Sequence, residues 1–315
     1  MITTLTPSPS IDLDYHVNSL QQSGVNRAYE FALHAGGKGV NVSRVLTLMK
    51  VNNVAMVPMA KANGDFFLNA AETEKLKLEI LPIGSPLRMN ISLVHDGLTT
   101  KINAESAAWT DSEAKKIASR FKMRARRSEF SVIGGSLPAG LGTEWISTLV
   151  SENAHRTKVV VDCSGDVLKA AITAKPFLIK PNQEEAENVI GSSIVTMADA
   201  VEACRELHLM GARNVLLSLG EQGSIYFNGE KMYRARAEKI IATNTVGAGD
   251  SLLAGFIGKF KAGPIKALAT GVAWSCAAIT SRGTGISTIP TSIPTDLISE
   301  IDPKEASLRE EQLSY

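Results

Sequence analysis

The sequence predicts an α/β fold: a doubly wound, mainly parallel sheet with helices on both faces and a small second β-sheet beside it. Three observations carry this. Short apolar runs at 54–57, 130–133, 159–162 and 215–219 alternate with stretches of helical periodicity, and such alternation means crossover units on a parallel sheet. Two stretches, 11–34 and 87–105, carry strand-like residues with no helical pattern inside them. The 315-residue chain is 44% hydrophobic and 21% charged, ordinary usage for a folded domain.

The elements follow in order. Ile11, Leu13, Tyr15 and Val17 alternate as in a strand. Val42, Val45, Leu46 and Met49 recur at i, i+3, i+4 and i+7, which predicts an amphipathic helix over 40–50. A strand is expected at 54–57. Ile91 and Leu93, before Asp96-Gly97, predict strand and turn. Thr110 and Glu113 form a capping box, and Ile117, Phe121 and Ala125 supply one apolar face behind it. The strand at 130–133 ends in Gly134-Gly135-Ser136. Strands at 159–162 and 177–179 flank a helix at 166–174. Ala200, Cys204 and Leu207 mark a helix stopped by Gly211. After the strand at 215–219, segments 225–227 and 231–233 flank Asn228-Gly229, a hairpin signal. Leu253, Phe256, Ile257 and Phe260 line a helix starting near Gly249-Asp250, and a last long helix runs from about 264 to 280. There is no internal repeat or low-complexity linker, so one domain over 1–315 is expected, with the second sheet built from 11–34 and 87–105.

Lys plus Arg number 33 and Asp plus Glu 32, a formal charge of +1. No global field draws such a chain to nucleic acid or to an anionic membrane. Cys163, Cys204 and Cys276 are far apart and have neither disulfide-framework nor zinc spacing, so a reducing, cytoplasmic setting is expected. The first twenty residues contain Asp12, Asp14 and two prolines and do not read as a signal peptide. No apolar run approaches the ~20 residues of a spanning helix.

The most informative segment is Asn244-Thr245-Val246-Gly247-Ala248-Gly249-Asp250-Ser251. Small residues where a helix begins let an anion approach free N–H groups and the positive end of the helix dipole. Asp250 alone would read as a helix cap. Within the full pattern it reads as a base beside an anion hole. Gly36-Gly37-Lys38-Gly39 also precedes a helix. It is not a P-loop, because Gly39 follows Lys38 where Ser or Thr is required. It is either a tight turn or a close approach to a polyol, with Asn41 in reach of sugar hydroxyls. Asn182 and Glu185 are spaced as a helix cap. Their other reading is an ordered Mg2+ with its waters, since magnesium uses few carboxylates. Gly134-Gly135-Ser136-Leu137-Pro138 departs from a nucleophile elbow at Pro138. Seven basic residues between Lys115 and Arg127 surround an apolar helix face and read as solvated. No well-placed GxGxxG supports a dinucleotide-binding oxidoreductase.

Taken together, the segments resemble the PfkB, or ribokinase-like, carbohydrate kinase family over nearly the whole chain. Gly36-Gly37-Lys38-Gly39-x-Asn41 resembles its first signature, Val246 to Ser251 its second, and Asn182-x-x-Glu185 its magnesium-linked motif. Leu5-Thr-Pro7-Ser-Pro9-Ser-Ile11-Asp12, Val161-Asp162-Cys163-Ser164-Gly165 and Arg88-Met-Asn90 are most similar to the phosphosugar branch, and within it to the 1-phosphofructokinases. Leu87 stands where the family usually has Thr, and Glu105-Ser106-Ala107 where a glycine is common.

The resemblance implies phosphoryl transfer from ATP, with Mg2+, to a hydroxyl of a phosphosugar. Fructose 1-phosphate is expected first, with tagatose 6-phosphate and fructose 6-phosphate as alternatives and a sugar-phosphate-binding regulator as the non-enzyme alternative. It implies Asp250 as base and Gly247, Ala248 and Gly249 as the anion hole. Asp12, Gly36, Gly37, Asn41, Asn90 and Ser136 would face the sugar, and Arg27, Lys38 and Arg88 its phosphate. Lys180, Asn182, Ser218, Gly220 and Gly223 would lie on the nucleotide side, and Asn182 and Glu185 would hold Mg2+ through water. The second sheet would be a lid over the sugar, able to pair with a second subunit. The expected partners are the phosphosugar and ATP, with no nucleic acid and no membrane.

Overall fold

The computed structural model describes residues 1–96, 98–236, 246–281, 286, 289, 290, 293, 297–302, 304 and 311–313. The chain opens with β1 (Ile2–Leu5), β2 (Ser10–His16) and β3 (Glu30–Gly36), then α1 (Lys38–Leu48) and β4 (Asn53–Met59). α2 (Gly64–Thr73) and β5 (Leu78–Pro82) lead to the antiparallel pair β6 (Arg88–His95) and β7 (Leu98–Ile102). Then come α3 (Asp111–Ala125), β8 (Phe130–Gly134), α4 (Thr143–Asn153), β9 (Lys158–Asp162), α5 (Gly165–Thr173) and β10 (Leu178–Ile179). α6 (Gln183–Ile190), α7 (Met197–Leu209) and β11 (Val215–Ser218) continue the alternation. The hairpin β12 (Ser224–Phe227) and β13 (Met232–Ala235), then α8 (Ala248–Lys259), α9 (Pro264–Ile279) and β14 (Ile298–Glu300), complete the described elements.

Ten strands form one sheet in the order β14-β13-β12-β11-β10-β9-β8-β1-β4-β5. From β11 to β5 every neighbouring pair is parallel, and β12, β13 and β14 join antiparallel. Central strands buried on both faces read as unbroken apolar runs, and side chains still alternate between two cores. Val159 and Val161 pack with α3 to α7 on one face. Val160, between them, packs with α1, α8 and α9 on the other. The helices at 38–48, 111–125, 165–173, 197–209, 248–259 and 264–279 match the expected positions within a few residues. β1, α2, β5 and α4 were not anticipated.

α8 and α9 cross with almost no side chain between them. A Cβ on Gly255 would lie 2.8 Å from the Cα of Gly271, and one on Gly271 would lie 2.7 Å from the Leu252 carbonyl oxygen. Only glycine permits that approach.

The second sheet has the order β3-β2-β6-β7 and comes from the two stretches expected to form it. Ile11, Ala35 and Leu87 pack there with Phe67 and Ala71 of α2. The pairs Ile11–Ala35, Leu13–Leu33 and Tyr15–Phe31 form an apolar row across β2 and β3. The row starts fully buried at Ile11 and ends at Phe31, 64% exposed.

Candidate active site

The parallel strands all end on the same edge of the large sheet. The order of connections reverses at β1, which has β4 on one side and β8 on the other. Ligands bind in the crevice at such a switch point, outside the carboxyl ends of the strands. Here Gly134, the last residue of β8, lies against the start of α1: a Cβ on it would be 3.1 Å from both the Gly39 nitrogen and the Lys38 Cβ.

The second glycine-rich segment starts α8. Gly247 occupies the cap position with φ +76° and contributes no side-chain cap bond, so among the described residues no side chain caps the first N–H groups of the helix. Asn244 and Thr245 lie outside the described residues. Asp250 is the third residue of α8, not its cap. Its carboxylate turns to α1, where Oδ2 accepts a hydrogen bond from Asn41 Nδ2 at 2.7 Å. The residue is buried. Burial and the negative charge of Asp162 push its pKa up to about 6, against the pull of Lys38, the Asn41 bond and Lys180. A carboxylate that changes state just below neutrality can take a proton from a hydroxyl.

Asp162, at the end of β9, links two lysines. Lys38 Nζ lies 2.8 Å from its Oδ1 and 3.3 Å from Glu185 Oε1, and Lys180 Nζ lies 3.5 Å from Asp162 Oδ2. Burial disfavours the ionised Asp162, but Lys180 and Lys38 hold its pKa below the usual carboxylate range. Burial likewise opposes the charge on Lys38, and Asp162, Glu185 and Asp250 together raise its pKa. A Cβ on Gly249 would lie 3.0 Å from Lys180 Nζ, so this ammonium sits against the start of α8. Helix N–H groups and two cations therefore converge beside Asp250, an arrangement suited to a phosphoryl group. Asp162 was not anticipated as a site residue.

Asn182 caps α6: its Oδ1 accepts from the Glu185 N–H at 2.7 Å, and Glu185 Oε2 accepts from the Asn182 N–H at 2.9 Å. The other Glu185 oxygen faces Lys38. Ser218 bridges to Asn182 as the sheet ends. Gly220 opens a 3-10 turn that ends at Gly223. These expected nucleotide-side residues thus form one ledge along the ends of β10 and β11.

Asp12 and Asn90 face each other across β2 and β6. Asp12 Oδ1 accepts from Asn90 Nδ2 at 2.9 Å and from Ser10 Oγ at 2.7 Å. A Cβ on Gly36 would overlap the Asp12 carboxylate, and Gly37 continues the turn with φ +113° into α1. Arg88 donates to the carbonyls of Ser8 and Ala104, each at 3.2 Å, and its buried Nε has no hydrogen-bond partner among the described residues. Leu87 packs beneath this sheet with Phe67. Ser136 is exposed just beyond β8. Arg27 is exposed on the loop between β2 and β3 and is not brought to this cluster.

Arg44 was also missed. It lies on α1, three residues beyond Asn41, and is buried. Its guanidinium donates to Asn41 Oδ1 at 2.5 Å, to Glu74 Oε2 at 2.9 Å and to the Ala35 carbonyl. Nothing in the local sequence marks it, because an arginine on the buried face of a helix is noticeable only once its partners are known.

Residues 7–292 match the family model described as pfkB family carbohydrate kinase. The chain is 31% identical over 264 residues to a 1-phosphofructokinase of Borreliella burgdorferi, covering 84% of this chain and 86% of that protein. It is 32% identical over 259 residues to a 1-phosphofructokinase of Vibrio cholerae, covering 81% of each. Phosphofructokinase-2 from Escherichia coli, solved in complex with fructose-6-phosphate, superposes with a TM-score of 0.82 at 26% identity, covering 89% of this chain and 93% of that one. With both signatures at one crevice and a family match over most of its length, the chain belongs to the pfkB family of carbohydrate kinases.

Proposed function

We propose that this kinase transfers the γ-phosphoryl group of ATP to a hydroxyl of fructose 1-phosphate, giving fructose 1,6-bisphosphate and ADP. The observation that carries the reaction is the buried Asp250 carboxylate, held by Asn41 beside the glycine-capped N-terminus of α8. Asp250 takes the hydroxyl proton as the sugar oxygen bonds to the γ-phosphorus. The bond from that phosphorus to the β–γ bridging oxygen breaks, and ADP keeps its electron pair. N–H groups of Gly247, Ala248 and Gly249, with Lys38 and Lys180, meet the charge that develops on the phosphoryl oxygens. Such groups contribute most when fixed in place before the reaction.

The relatives named 1-phosphofructokinase support the choice of sugar. Arg88 supports a phosphorylated one: it is a half-buried guanidinium near Asp12, with an Nε that has no partner among the described residues, and the arginine fork suits phosphate. For Mg2+, the donor set among the described residues fits a hydrated ion rather than a protein cage. No group of three or more His, Cys, Asp or Glu converges there, and Glu185 has one oxygen in the α6 cap. Asn182 and Glu185 would hold the ion through its waters, where it would neutralise phosphate charge. The apolar row ending at Phe31 suits the second sheet to act as a lid that pairs with a second copy.

ADP release measured with fructose 1-phosphate, fructose 6-phosphate, tagatose 6-phosphate and free fructose tests the substrate. Fructose 1-phosphate should give the highest kcat/KM. Arg88→Ala should weaken phosphosugar binding by roughly 1.5–3 kcal/mol, the range for hydrogen bonds to charged groups, and leave free fructose unchanged. Unaltered phosphosugar affinity would remove Arg88 from the phosphate site.

A further inference from the structure

We propose that Arg44 is a positioning residue for phosphoryl transfer: it sets which end of the Asn41 side-chain amide faces Asp250. A guanidinium carries donors and no acceptor. Arg44 Nη1 donates to Asn41 Oδ1 at 2.5 Å, so the carbonyl end of that amide is committed. The NH2 end is then left to face Asp250 Oδ2, 2.7 Å away. Turning the amide over would set an NH2 group against a guanidinium and a carbonyl against a carboxylate. Both contacts are repulsive, and in this part-buried site they are screened less than in bulk water.

The consequence falls on the base. Burial and Asp162, at the end of β9, oppose an ionised Asp250. Lys38 and Asn41 from α1, and Lys180 from the end of β10, support it. Both lysines already pair with Asp162. Among the described residues, Asn41 donates directly to the carboxylate, and it favours the form able to accept a proton. Arg44 reaches Asp250 only through this amide. Its other donors anchor it on separate elements: Nε on Glu74, which caps the end of α2, and Nη2 on the Ala35 carbonyl in β3. The guanidinium is therefore fixed from three sides while it orients Asn41.

The inference rests on Asp250 as the base, and the two are separable. If Asp250→Asn retains a normal rate, the functional reading fails. If Asp250→Asn is inactive while Arg44 variants behave as wild type, only the inference fails. The test compares Glu74→Gln with the double variant Glu74→Gln/Arg44→Gln, so that no half-buried Glu74 carboxylate is left with only His34, 3.7 Å away, to pair with it. Glu74→Gln keeps the Arg44–Asn41 bond, and its kcat–pH profile should match wild type. In the double variant a glutamine amide can donate or accept, so it no longer dictates the orientation of Asn41. The acidic limb of kcat should move up by roughly one pH unit, a tenfold change in the ionisation equilibrium. KM for ATP should stay within about twofold, because no nucleotide-side group has changed. A double variant with a lowered melting temperature but an unmoved limb would make Arg44 a structural residue and overturn the proposal. If the double variant does not fold, Arg44→Lys is read by the same criterion. It keeps a cation for Glu74 but loses the planar fork shared among three acceptors, so its limb should move in the same direction, and an unmoved limb overturns the proposal.

Discussion

Asp250 carries a stability cost as well as a proposed catalytic role, and one substitution separates them. Asp250→Asn should lower turnover by ~10²–10⁴, the usual size of a general-base contribution, and single-turnover transfer would show it. In the wild type, kcat should fall as pH drops through about 6, because burial and Asp162 raise the Asp250 pKa to that point. The effect on stability follows from the same shift. The folded-state pKa lies above the unfolded value of 3.8, so ionising the folded protein is the unfavourable step. The stability present at low pH is lost as pH rises through about 6. Asp250→Asn removes that loss and can still accept from Asn41. Its melting temperature should exceed that of wild type at pH 8, with the gain shrinking toward pH 5. Thermal melts at the two pH values decide this. Asp250 itself was legible in the sequence from its glycine-rich neighbours. Its control was not, because Asn41 and Asp162 lie on other elements, 209 and 88 residues away in the chain. Asp162 and Arg44 escaped notice for the same reason: a single charged residue in a buried run has no local signature.

At the scale of elements, α6 shows one residue meeting two demands. Asn182 and Glu185 read from spacing as a cap, and the cap is present in full. The second Glu185 oxygen still faces the site through Lys38. Glutamine also serves at the third position of a capping box, so Glu185→Gln should leave the melt nearly unchanged while the rate requires more Mg2+. Glu185→Ala should lose the reciprocal bond as well and cost ~1 kcal/mol. A magnesium titration beside a thermal melt distinguishes them. An unmoved titration in Glu185→Gln would leave the residue as a cap alone. Elements with a strong period or a capping pair, such as α1 and α3, were legible. β1 was not: its central Thr3 and Thr4 are polar yet fully buried, with Thr3 satisfied by a 2.7 Å bond to Ser128. β5 was missed as a short edge strand, and α4 because its cap, Gly142, makes no side-chain bond.

Over the whole molecule, the doubly wound sheet and the separate second sheet were legible because alternation was strong in one and helices were missing from the other. The proposed pairing of lids belongs to this scale. Tyr29, Phe31, Leu98 and Ile102, on or beside the two edge strands of the second sheet, are each more than half exposed. Phe31→Asp should shift sedimentation toward the monomer and raise KM for the sugar more than KM for ATP. Unchanged sedimentation would remove this surface from any subunit contact. The Gly255–Gly271 crossing sets a different kind of tolerance. Gly255 lies about 7.5 Å along α8 from Asp250, at about 1.5 Å per residue, so the distance between two helix axes is in effect a dimension of the proposed catalytic crevice. α9 contributes no side chain to the chemistry proposed here, yet it acts as a spacer gauge for the phosphoryl pocket. One methyl group at Gly271 should push α8 away from it, costing ~1–3 kcal/mol as overpacking does. It should also lower kcat in protein that is still fully folded, with sugar affinity intact. A Gly271→Ala enzyme that melts earlier but turns over normally would show that the pocket holds its spacing without α9.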